Sequence, residues 1–190
     1  MAKDQLRESR DRALGAVQDT AQAAEAEIAS WREELTAEVA LRALTLGFVG
    51  GLRSLTPLAL LDLTNEQNPP ATNNLEQFLD SPTARVLFNT LAAGELVADK
   101  LPFAPSRLSP IPLLGRLGLG ALAGMSLCRR YHKPLIAGAL LGGLGAGAGS
   151  FAGYYARSTL FSTTKTPQWV LGLAEDALAF GLGSLAVKRT

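Results

Sequence analysis

The chain has a single cysteine, Cys128, and a single histidine, His132. One cysteine makes no internal disulfide, and one Cys with one His makes no zinc cage. Asn-x-Ser/Thr sequons are absent. There is no large charge of either sign, the formal net charge being +1 over 190 residues, so the electrostatic footprint of a nucleic-acid binder is missing. A Ser-His-Asp set, a Walker loop and an HExxH helix are also absent, and we expect no enzymatic activity, no metal and no cofactor. G-x-G-x-x-A does occur at 118–123, 147–152 and 181–186. Three occurrences inside Gly/Ala runs, with no β-branched strand before them, are background and not a dinucleotide fingerprint.

What is present divides near position 40. Residues 1–40 carry five Lys/Arg against nine Asp/Glu, whereas the remaining 13 Lys/Arg outnumber eight Asp/Glu. This charged, acidic start matches neither a secretory signal nor an acid-poor transit peptide. Within residues 1–38, Leu14, Val17, Ala21, Ala24, Ile28, Trp31 and Leu35 recur at spacings of three and four. That is the stripe of an amphipathic, heptad-like helix, weakened by its two alanines. Such a helix lies on a membrane or on its own membrane domain. It also serves self-association, or binding to a partner in a membrane complex.

From 39 to 190 the texture is apolar. Most of the 19 glycines sit there, inside Leu/Ala runs and not in polar turns. An interior glycine costs a soluble helix about 1 kcal/mol relative to alanine, whereas membrane helices use small residues to bring backbones together. Five apolar segments follow, at 39–63, 82–101, 110–128, 134–161 and 167–187, separated by polar or proline-rich stretches. A bilayer span needs about 20 residues. The run 134–156 has no charge after Lys133 and no polar face, which argues against a soluble all-α bundle. We therefore expect an all-α, polytopic membrane bundle of about five helices in contact with the lipid bilayer. With five crossings, residues 1–38 would share a side with the 102–109 and 158–166 loops. Lys/Arg flank both sides, so the positive-inside rule leaves orientation open.

The first and last helix pairs share a pattern: a glycine-rich helix, then a Leu/Ala helix with acids, LAAGELVADK and LGLAEDALAF. An inverted two-helix repeat around a central helix would leave this pattern. So would chance, in a match this short.

Charged side chains inside such helices are costly and should face the bundle interior and pair. The candidates are Arg53, deep in its helix, Glu95, Asp99, Glu175 and Asp176, with Arg116 in the first third of its helix. Glu95 and Asp99 are four apart and share a face. Glu175 and Asp176 point about 100° apart, so one at most lies fully in a given seam. Two readings stand: a site that passes a small ion or solute, or a salt-bridge cluster that only fixes packing, with Arg53 against Glu95 or Glu175. GLRSLTP at 51–57 is the candidate helix break, Gly51 and Pro57 bracketing Arg53; the alternative is an ordinary Pro kink within one crossing, satisfied by Ser54 or Thr56. Gly138, Gly142, Gly145, Gly149 and Gly153 form a small-residue ridge for helix packing.

The stretches GLRSLTPLALL, GELVADKLPFAPSRLSPIPLLGRLGLGALAG and AEDALAF resemble the bacterial membrane-protein family catalogued as domain of unknown function 4126. The resemblance covers roughly 47–187 and is most specific at Glu95–Pro102 followed by Arg107–Pro110. It implies a small polytopic protein of the bacterial inner membrane and carries no activity. Residues 1–38 lie outside it.

Overall fold

The computed structural model describes residues 2–64, 69–98, 109–164 and 168–188. Asp99, Lys100, Pro102 and Arg107 lie outside the described residues. Eight helices and no strand occur among those described: α1 (Ala2–Glu34), α2 (Ala37–Leu52), α3 (Thr56–Leu63), α4 (Asn74–Leu79), α5 (Pro82–Ala98), α6 (Pro110–Arg130), α7 (Leu135–Thr164) and α8 (Gln168–Val187). Three of them, Pro110–Arg130, Leu135–Leu160 and Trp169–Val187, are long and apolar enough to cross a membrane.

The chain forms two compact units, Met1–Thr36 and Ala37–Thr190. The first is the single helix α1, on which Leu14, Val17 and Ile28 of the apolar stripe are exposed.

In the second unit α7 packs along both α2 and α6. Glycines set the separations. A Cβ at Gly138 or Gly142 would strike the backbone of α6 at Gly124 or Gly120, and one at Gly145 or Gly149 would strike α2 around Leu44 and Phe48. Gly47 and Gly51 meet α7 in the same way, at Gly142 and at Ala146 to Ser150. α2 therefore runs in the direction of α7, and α6 runs against both. Gly153 is buried, farther along α7.

The α6–α7 turn is a Schellman motif. His132 donates to the Arg129 carbonyl at 3.0 Å, Lys133 donates to that of Cys128 at 2.8 Å, and His132 takes a left-handed φ of 53°. The lone histidine thus occupies a position where glycine is the usual residue.

Residues 39–63 do not make one crossing with a kink, as the sequence suggests. Arg42, near the start of α2, donates to the Tyr131 hydroxyl at 3.2 Å. Arg130, one residue away in the chain, donates to the Leu61 carbonyl at 2.7 Å and to Thr64 Oγ1 at 3.0 Å. A continuous helix would hold residues 42 and 61 about 28 Å apart. Instead the chain reverses at 53–55, so that Gly50 lies beside the Pro57 ring. α2 and α3 form a re-entrant hairpin. Two small residues before the turn and a proline in the first turn of α3 permit the reversal.

Two expectations change with it. Arg42 also bonds the carbonyls of Ala186 and Lys188, so α2 begins at the end of the bundle holding the Tyr131 turn and the close of α8, not at the end where α6 begins and α7 closes. Nor does the structure show the inverted repeat. Arg85 and Asn89 of α5 bond Asp62 at the close of α3 (2.8 and 2.9 Å), whereas Glu95 reaches the start of α3. α5 thus runs against α3 and with α2, but an inverted copy of the antiparallel pair α7–α8 requires α2 and α5 to be antiparallel.

Candidate functional site

The hairpin tip gathers three of the six buried charged side chains among the described residues, Arg53, Arg116 and Asp176. α3 begins at Leu55, which has no side-chain group to cap it. The missing cap comes from another helix. The Glu95 carboxylate accepts hydrogen bonds from the backbone N–H of Ser54 at 2.8 Å and of Leu55 at 3.1 Å. On the other arm, the last carbonyls of α2 take a cation. Arg116 donates to the Gly51 carbonyl at 2.5 Å and to that of Leu52 at 3.2 Å, and Ser150 Oγ donates to Gly51 at 3.3 Å. An anion at a helix start and a cation at a helix end both complement the helix dipole. Glu95 and Arg116 lie 3.8 Å apart and close the arrangement.

Arg53, at the turn itself, pairs with Asp176 of α8, and only 1 % of the arginine is exposed. Glu175 points elsewhere and pairs with Arg157 of α7 at 2.6 Å. The adjacent acids therefore serve two different contacts, as the angle between neighbouring helix positions requires. Arg53, Glu95 and Asp176 meet at the tip, with Gly51 and Pro57 on its two arms. The ion pairs formed here are Arg53 with Asp176 and Arg116 with Glu95. Gly138, Gly142, Gly145 and Gly149 pack along α7 on the way to it, Gly153 lies beyond Ser150, and Asp99 is outside the described residues.

Sequence reasoning missed two features. Arg157 sits just past the uncharged stretch of α7, and its position facing an acid is invisible in one-dimensional spacing. The second is a polar cluster at the opposite end of the bundle. Glu76 is buried and accepts from Thr72 N–H at 2.7 Å, Thr72 Oγ1 at 2.9 Å and Asn73 Nδ2 at 3.0 Å. Asn73 in turn accepts from Glu76 N–H at 2.9 Å and so caps α4, while Glu76 reaches back to the Thr72 N–H, one residue before the N-cap, in a variant of the Asn-x-x-Glu capping box. That spelling was legible within TNNLE. Arg129 joins the cluster, 3.4 Å from Glu76 and 2.8 Å from Asp80, and also bonds the Pro69 carbonyl at 2.6 Å. The Thr72 amide holds the Glu76 carboxyl below the usual glutamate range. Burial opposes this, and the Thr72 hydroxyl, the Arg129 charge and Asn73 add to it. Among the described residues no three His, Cys, Asp or Glu side chains converge as metal ligands would.

An all-helical unit with three membrane-length apolar helices and a charge-pinned hairpin defines a class of protein compatible with a membrane setting. The chain belongs to the family described as domain of unknown function 4126, which it matches over residues 40–189. No curated protein and no solved structure matches it.

Proposed function

We propose that this chain is a non-enzymatic integral protein of a bacterial inner membrane whose role is architectural. In this reading α6, α7 and α8 cross the bilayer, α2–α3 is a re-entrant hairpin held by a glycine zipper with α7, and α1 engages a second copy or a membrane-complex partner. One observation supports it above others: the charges at the hairpin tip are turned onto each other and onto the backbone. Glu95 occupies the start of α3 and Arg116 the end of α2, the two places where a transported ion would otherwise find free helix ends.

A second reading is passage of a small ion or solute through Arg53, Glu95, Glu175 and Asp176. The observation favouring it is the same tip, because opposed half-helix ends inside a membrane are a recurrent ion-binding geometry. Flux into proteoliposomes separates the two. Across a panel of ions and small solutes, the architectural reading expects no flux from the wild-type protein. It also expects Glu95→Gln to lose stability by about 1–3 kcal/mol, because one backbone donor loses its charged acceptor. Flux that Glu95→Gln abolishes while the melting temperature holds would establish the second reading instead.

A further inference from the structure

α7 and α8 are consecutive and antiparallel, yet they pack little on one another. α8 turns its small residues toward the hairpin instead. A Cβ at Gly183 would fall against Leu60 and Val49, and Ala179 and Ala186 are buried. The divergence leaves a groove of about 350 Å³ between the two helices, floored by Phe48 and Leu52 of α2. Gly153 and Ala156 on one wall and Ala174 on the other keep it wide. Its volume falls in the range of sites that hold small organic molecules.

The charged residues lining this groove are Arg157 and Glu175, paired at 2.6 Å. Arg157 lies three residues and Glu175 six residues from the ends of the apolar spans Leu135–Leu160 and Trp169–Val187, about 5 and 9 Å along the axis. In a hydrocarbon core about 30 Å thick, both lie within its outer third. Long side chains at that depth reach the headgroup region. Below the pair the groove is apolar. Interiors hold few voids larger than a water molecule, and an empty groove would forfeit the dispersion contacts of its lining.

The geometry points to a bound phospholipid, with one acyl chain along the groove and a zwitterionic phosphate-and-amine headgroup over the Arg157–Glu175 pair. The guanidinium donates to phosphate oxygens, the geometry for which arginine is suited. The Glu175 carboxylate accepts from the ammonium group. An anionic headgroup lacking an amine would set its charge against Glu175 with nothing to offset it, so the pair selects the zwitterionic lipid. This inference rests on bilayer insertion alone. It holds whether or not the hairpin tip passes an ion.

The test uses the full chain purified in detergent and exposed to equal amounts of phosphatidylethanolamine and phosphatidylglycerol, with bound lipid counted by native mass spectrometry. The wild type is expected to retain a single phosphatidylethanolamine, several-fold in excess of phosphatidylglycerol. Ala174→Leu fills the groove and should lose the lipid with helical content unchanged. Should that variant not fold, Ala156→Leu fills it from the opposite wall. Glu175→Gln should keep a lipid and lose the headgroup preference. Equal retention of the two headgroups by the wild type would overturn the proposal, as would lipid retained in a folded filled variant. Carbonate-resistant membrane association reports insertion separately, so failure to insert is distinguishable from failure to bind.

Discussion

Arg53 at the turn of the α2–α3 hairpin and Asp176 on α8 form a buried ion pair, the arginine being 1 % and the aspartate 9 % exposed. The pair fastens the tip of a re-entrant element to a helix far away in the chain. It should show the asymmetry of buried pairs. Asp176→Asn or Arg53→Met alone leaves a charge without its counter-ion and should cost about 3–5 kcal/mol. The double variant Arg53→Met/Asp176→Leu should cost clearly less than either single change suggests. Thermal or denaturant unfolding of the four proteins measures the coupling. Additive costs would mean that the pair contributes nothing as a pair.

The hairpin places the start of α2 and the end of α3 at one end of the bundle. With Cys128 replaced by alanine, cysteines introduced at Glu38 and at Leu63, both exposed, should react with an impermeant maleimide from the same face of sealed vesicles. Labelling from opposite faces would restore a single continuous crossing over 39–63.

Gly142 and Gly143 are neighbours in the chain with opposite tolerance. A Cβ at Gly142 would drive into the α6 backbone at Gly120, whereas at Gly143 the nearest atom stands 3.8 Å away. Gly142→Ala should destabilise by about 1–3 kcal/mol through overpacking. Gly143→Ala should be neutral or gain up to about 1 kcal/mol from helix propensity. Melting temperatures in one detergent decide it, and equal shifts would contradict the packing described for α6 and α7.

Glu76 gives the polar end of the bundle an acid sensitivity. Its folded-state pKa is depressed, chiefly by the Thr72 amide, so the unfolded chain binds more protons over the window between the two values. The stabilisation is complete above the ordinary glutamate value and disappears as pH falls through the depressed one. The stability gap between wild type and Glu76→Gln should therefore be widest near neutral pH and close on acidification. A gap independent of pH would mean that the carboxylate charge plays no part.

Much was legible in one dimension. Apolar runs of membrane length and the glycines inside them follow from local rules, and they appear as α6, α7 and α8. The break at GLRSLTP was visible because Gly50, Gly51 and Pro57 are local punctuation. The need for Arg53, Glu95 and Asp176 to find partners was equally plain, since an isolated charge in an apolar helix is unstable wherever it sits.

What sequence alone left open was direction and partnership. A Gly-Gly…Pro break permits either a kink or a full reversal, and both satisfy the same local rules. The reversal depends on groups far away in the chain: Glu95 at the start of α3, Arg116 at the end of α2 and Arg130 at Leu61. Once the chain reverses, α5 must run with α2, and the apparent repeat loses its symmetry. The partner of each charge depends on those directions as well. Composition and spacing determined that this protein buries charges among glycine-rich helices, because those are properties of each segment. Which charges meet was decided by tertiary structure, because hydrogen bonds that cap one helix from another exist only after the helices have packed.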